Sequence, residues 1–333
     1  MARQLFEYHP VLAYRFIPNL KARVAHEAGG YLVQTNASGF RCRHDFGAAR
    51  VPGRKRILLF GDSFTAGDGV SNGQRYGDRV EELLDVEVFN FGLPGSGTDQ
   101  HYLAFKEFGA GLSADLTIVA VLVENIRRTA ARYRHYQDQE GRPCCYAKPY
   151  FTLTDGQLYL AGVPPAREPV AEAEMASAER AAVDRGGRFA TLRKIVNQVG
   201  LRDLAQKVSG YQPLPEYDDP EDSRWLLLRA ILEEFLTAVP SPVILMPLPL
   251  YQHVEGTADA GGYQARFREI TAGRPWVLHD PLPDLQAYPA EQRRGFRFEK
   301  DVHPTPAGHA ALATSLAPLA GRLLGIAPKS LPA

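Results

Sequence analysis

Ser63, His303 and Asp301 are the residues of this chain whose types and placement suit nucleophilic chemistry. The apolar run Arg56–Phe60 (RILLF) ends in Gly61-Asp62-Ser63-Phe64. Glycine permits a sharp turn there, and a helix starting next would set its N-terminal amides beside Ser63, where they stabilise a negative oxygen. Taken alone, Asp62 and Ser63 are better explained as helix caps. Near the other end lies Asp301-Val302-His303-Pro304. A histidine acting as a base needs a hydrogen-bonded carboxylate to fix its tautomer and stabilise its protonated form. An aspartate two positions earlier on a bent loop reaches that ring; in isolation His303 reads equally as a surface-loop histidine. Two further positions offer donors to a developing oxyanion. Pro94-Gly95 favours a turn with positive φ at Gly95, which leaves a backbone N–H pointing into the site. Asn125, where another apolar run stops, carries a side-chain amide. The bland alternatives are a glycine-rich connection for Gly95 and an Asx turn or cap for Asn125.

The elements that must position these residues form a consistent series. Residues 56–60, 86–91 (VEVFNF), 115–123 (DLTIVAVLV), 242–247 (PVILMP) and 276–279 (WVLH) are short apolar runs. Helical patterns alternate with them over Tyr76–Leu84, 99–108 and 225–236, and a closing helix spans Pro306–Leu324 behind a Thr305 cap. Such alternation predicts βαβ units and a parallel sheet buried on both faces, whose ligands bind beyond the carboxyl ends of the strands. All four candidate blocks sit at such ends or just before a helix. Residues 1–55 read as short strands and loops forming an accessory segment. Residues 126–223 are an insertion expected to act as a cap or lid, with a hairpin over 151–160 turning at Asp155-Gly156 and helical stretches near 170–184 and 189–208. The catalytic domain is thus expected to comprise 56–125 and 224–326.

With Gly61-Asp62-Ser63, Gly95, Asn125 and the Asp301/His303 pair in this order, the sequence resembles the SGNH (GDSL) hydrolases over roughly residues 56–125 and 240–325. The resemblance implies a three-layer α/β/α sandwich with a small parallel sheet of flavodoxin-like type. It also implies a serine esterase in which His303 deprotonates Ser63, Asp301 orients His303, and the Ser63 N–H, Gly95 N–H and Asn125 amide hold the oxyanion. Two departures are visible. The third block is Val123-Glu124-Asn125-Ile126 where the family commonly has Gly-x-Asn-Asp, and the last pair is spaced Asp-x-His, not Asp-x-x-His. The shorter spacing resembles that of the SGNH-like alginate O-acetyltransferases, which keeps acyl transfer open. The resulting expectation is removal of a short acyl group such as acetyl from a sugar or small metabolite. An O-acyltransferase on the same residues and a catalytically silent carbohydrate-binding protein are the competing readings.

Composition narrows the classes. Lys plus Arg and Asp plus Glu both number 38, so the net charge is zero, without the basic excess by which a nucleic-acid binder neutralises phosphates, and no nucleic-acid partner is expected. No phosphate-binding loop is present, and the nine histidines show no metal-ligand spacing; neither cofactor nor metal is expected. Three cysteines, Cys42, Cys144 and Cys145, are too few for a disulfide framework and read as free thiols. No apolar run is long enough to span a bilayer or to serve as a signal peptide, which gives a cytoplasmic expectation. Arg127, Arg128, Arg132 and Arg134 follow Asn125 on an expected helix. They are either a solvated face paired with acids or, for Arg127 and Arg128 together with Asp62, substrate contacts.

Overall fold

A computed structural model describes residues 4–137, 142–184 and 211–329. The N-terminal segment resolves into two antiparallel ribbons, β1 (Phe6–His9) with β2 (Ala13–Phe16) and β3 (Lys21–Val24) with β4 (Tyr31–Gln34). Then come β5 (Arg56–Phe60), β6 (Glu87–Asn90) and β7 (Leu116–Leu122), each buried along its whole length.

The insertion follows with β8 (Tyr133–Gln137), β9 (Pro143–Ala147), β10 (Tyr150–Thr154), β11 (Gln157–Ala161), β12 (Val170–Ala171) and β13 (Val183–Asp184). The β10–β11 hairpin turns at Asp155 and Gly156 with φ of 52° and 74°, the paired positive values of a primed turn. The other four strands form a sheet in the order β12-β9-β8-β13. The helix expected near 170–184 is not formed: only Ser177–Ala181 is α-helical, between β12 and β13. Here pairing with β9 and β8 overrides an alanine-rich helical propensity. The stretch at 189–208 lies outside the described residues. The arginine series likewise divides, because the helix after Asn125 ends at Ala130 and Arg134 stands on β8.

Last come β14 (Val243–Leu248) and β15 (Val277–Leu278). The central sheet runs β15-β14-β7-β5-β6 with every pairing parallel, the flavodoxin-like order. β5, β7 and β14 read as continuous apolar runs because helices cover both faces of the sheet. Tyr76–Leu84 packs with the closing helix Pro306–Leu324, and Thr98–Ala104 packs with Asn125–Ala130 and Ser223–Ala238. The closing helix starts as its sequence predicts, with Thr305 Oγ1 accepting from Gly308 N at 3.2 Å. β6 and β7 flank β5 on opposite sides, so the chain reverses direction of winding there and opens a crevice beyond the β5 and β7 ends. Among the described residues no helix is long and apolar enough to cross a membrane. None of the three cysteines is in a disulfide, and all three are buried.

Candidate active site

Ser63 is the first residue of a one-turn helix, Ser63–Ala66, at the carboxyl end of β5. Asp62 caps it: its Oδ1 accepts from Phe64 N at 3.0 Å. The turn needs glycine at position 61, where a Cβ would meet Thr65 Oγ1 at 2.0 Å. Ser63 is only 4% exposed, and among the described residues neither its hydroxyl nor its N–H is engaged.

Asn125 begins the helix at the end of β7 and is fully buried. Its Nδ2 has no hydrogen-bond partner among the described residues, while its Oδ1 accepts from Arg128 at 3.4 Å. A buried amide nitrogen without an acceptor is costly, and this one is left able to donate to a group at the end of β7. Gly95 adopts φ of 76° in the loop after β6, as Pro94-Gly95 predicts, and its N–H is also unengaged by described residues. Around it, Tyr14 Oη donates to Pro94 O at 2.5 Å and Arg134 donates to the Gly95 carbonyl. The Tyr14 contact occupies the carbonyl of the Pro94–Gly95 peptide, whose own N–H, that of Gly95, stays free among the described residues.

Asp301 and His303 form the expected pair, with His303 Nδ1 and Asp301 Oδ1 2.6 Å apart. The His303 ring lies 5.5 Å from the ring of Phe64, the residue after Ser63, so the pair sits against the Ser63 turn. Among the described residues Ser63 and His303 are not hydrogen-bonded; such contacts commonly tighten only with substrate in place. Burial opposes protonation of His303, but the Asp301 hydrogen bond and the charges of Asp68, Asp301 and Asp62 outweigh it, and the imidazole titrates above its ordinary 6.5. Asp301 is held well below the usual carboxylate range: burial raises it, and bonds from His303 and His26 more than reverse that.

The arginines beside the site are already engaged. Arg128 pairs with Asp62 Oδ2 at 3.1 Å and Glu124 at 3.2 Å. Arg127 is held by Glu216 at 2.5 Å and by the Pro213 carbonyl at 3.0 Å. Both therefore take the acid-paired arrangement, and Asp62 is committed to capping and to Arg128. Among the described residues no group of three or more His, Cys, Asp or Glu side chains is placed to hold a metal ion.

Two cavities border the turn. One, about 40 Å³ and apolar, is lined by Phe64, Leu248, Tyr251, Val254, Val302 and Pro304, and so touches the sequence neighbours of both Ser63 and His303. The other, about 560 Å³, is lined by residues including Tyr14, Tyr31, Asp68, Gly95, Arg134 and Tyr136. It is built jointly by the N-terminal ribbons, the Ser63 loop and the insertion.

Residues 59–311 match the GDSL-like lipase/acylhydrolase family. The chain belongs to that family. As a GDSL-like hydrolase it is an ester-hydrolysing enzyme, and the match spans both halves of the sheet and the insertion between them. No curated protein matches the hydrolase significantly in sequence. Solved structures similar to it include a lipase/acylhydrolase from Enterococcus faecalis, at 15% identity and TM-score 0.42, covering 83% of this chain and 100% of that one. A G-D-S-L family lipolytic protein from Veillonella parvula is 13% identical at TM-score 0.41, covering 80% and 99%. A two-domain esterase active on acetylated mannans is 12% identical at TM-score 0.41, covering 84% of this chain and 52% of that one. At such values the family assignment of the hydrolase rests on its sequence match.

Two groups that contribute here were not singled out by their sequence context. Asp68, in a Gly67-Asp68-Gly69 stretch that reads as a plain loop, is half-buried on the wall of the larger cavity. Burial raises its carboxyl above the usual range, against the pull of His303 and Arg41. The flanking glycines, with φ of 80° and 86°, were the available signal that this loop turns back on the site. The fully buried Arg41 pins the same loop, donating to Gly67 O at 2.6 Å and Val70 O at 2.7 Å; nothing local to Arg41 indicates this.

Proposed function

We propose that this hydrolase removes a short acyl group, acetyl or close to it, from a hydroxyl of a sugar or sugar-like polyol by a Ser63–His303–Asp301 mechanism. The observation that carries the reading is the buried Asn125 Nδ2, without a partner among the described residues, at the same carboxyl end of the sheet as the Ser63 and Gly95 N–H groups, likewise unengaged by described residues, with the Asp301–His303 pair beside them.

In the first half-reaction, Ser63 Oγ attacks the ester carbonyl carbon as His303 Nε2 takes its proton. The tetrahedral oxyanion is held by the Ser63 and Gly95 N–H groups and by Asn125 Nδ2. The protonated His303, stabilised by Asp301, then delivers that proton to the departing alkoxide. A water deprotonated by His303 attacks the acyl-serine, and the carboxylic acid leaves with Ser63 restored.

The two cavities support the substrate class. A space of about 40 Å³ holds roughly three water-sized volumes, suited to an acyl tail of about two or three carbons. The 560 Å³ cavity combines tyrosine rings with Asp68 and Arg134, a lining that fits a polyhydroxylated alcohol better than a fatty chain. In a series of p-nitrophenyl esters, kcat/KM is expected to fall by about tenfold or more from acetyl to octanoyl; a rise with chain length would refute the short-acyl assignment.

The mechanism is tested by intact and peptide mass after exposure to a small fluorophosphonate. A single adduct on the peptide bearing Ser63 is expected, and labelling elsewhere or not at all would remove Ser63 as the nucleophile. For the oxyanion site, Asn125→Ala is expected to lower kcat on the order of 10²–10³-fold with KM little changed. Near-normal turnover by that variant would take Asn125 out of the site.

A further inference from the structure

We infer that His26, on the turn between β3 and β4, is a positioning residue for the His303 base, acting through the second oxygen of Asp301; this rests on the Ser63–His303–Asp301 reading above. His26 Nε2 lies 3.2 Å from Asp301 Oδ2, while Oδ1 of the same carboxylate binds His303 Nδ1 at 2.6 Å. The carboxylate therefore bridges two imidazoles with one oxygen for each. The tautomer of His26 follows from its other nitrogen: Nδ1 accepts from Ala28 N at 3.4 Å, which leaves Nε2 as the protonated donor to Asp301.

Packing holds this geometry. The His26 ring stands edge-on to Phe298 at 4.4 Å and to Tyr31 at 5.8 Å, and its side chain is 11% exposed. Gly69, on the loop after Ser63, leaves the room for it, since a Cβ there would meet Phe298 at 2.5 Å and His26 Nε2 at 3.3 Å. The adjacent Glu27 grips the same loop by its backbone, its carboxylate accepting from Lys300 N at 3.0 Å and Asp301 N at 2.8 Å. One turn of the N-terminal segment thus fixes both the main chain and the carboxylate of the Asp301 loop.

A donor on Oδ2 has a defined consequence. It stabilises the carboxylate charge and restrains Asp301 from rotating away from His303. Without it, Asp301 becomes a stronger acceptor for the imidazolium, and His303 should hold its proton to higher pH. The groups facing His303 are Asp301 beside it, Asp62 and Asp68 from the Ser63 turn and loop, and His309 from the closing helix. Arg41 stands near Asp68, and His26 and Glu27 approach from behind Asp301. Of these, His26 alone donates a side-chain hydrogen bond to Asp301 besides His303, so its removal isolates the effect.

The test compares wild type with His26→Ala and His26→Gln, whose amide nitrogen can occupy the Nε2 position. The readouts are the His303 imidazole titration by NMR, the pH profile and kcat for p-nitrophenyl acetate, and thermal unfolding to confirm folding. Expected for His26→Ala are a His303 midpoint raised by about half a unit, the acid limb of kcat/KM raised with it, and kcat about tenfold lower at unchanged KM. His26→Gln should return each value to within about twofold, or a tenth or two of a pH unit, of wild type. An unmoved midpoint in folded His26→Ala overturns the inference, as does a His26→Gln variant as impaired as His26→Ala. If Ser63→Ala turns over ester as fast as wild type, the serine mechanism fails instead. The NMR midpoint, which needs no turnover, then still decides whether His26 governs His303 through Asp301.

Discussion

Ser63→Ala is expected to lower acetyl-ester turnover by about 10⁵–10⁶-fold while leaving the protein folded. The size follows from how the site is assembled. His303, Asp301 and the oxyanion donors act on the Ser63 oxygen as a unit, so without that oxygen the base has no proton to take and the donors act only on bound ester and water. Stability should barely change, because Ser63 Oγ makes no hydrogen bond among the described residues and the cap of the turn is Asp62. A melting temperature within about a degree or two of wild type, with turnover lost and the fluorophosphonate adduct absent, is the expected pattern. Retention of more than about 1% of turnover would mean that another nucleophile, or an activated water, carries the reaction.

Asp301→Asn should cost on the order of 10⁴-fold in kcat. Both carboxylate oxygens of Asp301 receive hydrogen bonds, from His303 and from His26. An amide can accept only through its oxygen, so its NH₂ must face one of two N–H donors. If it faces His303, the imidazole is driven to the tautomer with its proton on Nε2, where it cannot accept from Ser63. The pH dependence supplies a second signature. Wild-type kcat/KM should rise through a midpoint above 6.5, because His303 must be neutral to act as a base and its protonated form is stabilised in the site. Below that midpoint activity is lost as the imidazole charges; above it the base is available. Asp301→Asn removes the hydrogen bond and one of the charges that raise His303 while burial still disfavours its cation, so the residual activity should titrate at lower pH. A wild-type profile flat from about pH 5 to 8, with chemistry limiting, would exclude His303 as the base.

The N-terminal segment changes standing once its contacts are followed. Its expected role was accessory, yet Arg41 holds the loop after Ser63, and His26 and Glu27 hold the loop of Asp301. Tyr14 and Tyr31 line the larger cavity together with Tyr136 and Arg134 of the insertion. The larger cavity is therefore walled largely by the N-terminal segment and the insertion.

How much of this was legible beforehand depends on the range of the forces involved. The apolar runs that became β5, β7 and β14, the helices at Tyr76–Leu84 and Pro306–Leu324, and the turns at Ser63 and Gly95 were all readable. Each depends on local periodicity, capping or φ preference, which a few neighbouring residues determine. The pairing of Asp301 with His303 was readable for the same reason, the two being two positions apart. Where local propensity and long-range pairing disagreed, as at residues 170–184, propensity pointed to a helix and the sheet partners prevailed. The reach of His26 to Asp301 joins residues 275 positions apart, and the larger cavity joins the N-terminal ribbons to the insertion. No local pattern encodes such contacts, because they exist only after the sheet has closed and buried the surfaces that bring them together. The sequence by itself determined which residues could do the chemistry; the tertiary structure decided what holds them in place and how much room the substrate has.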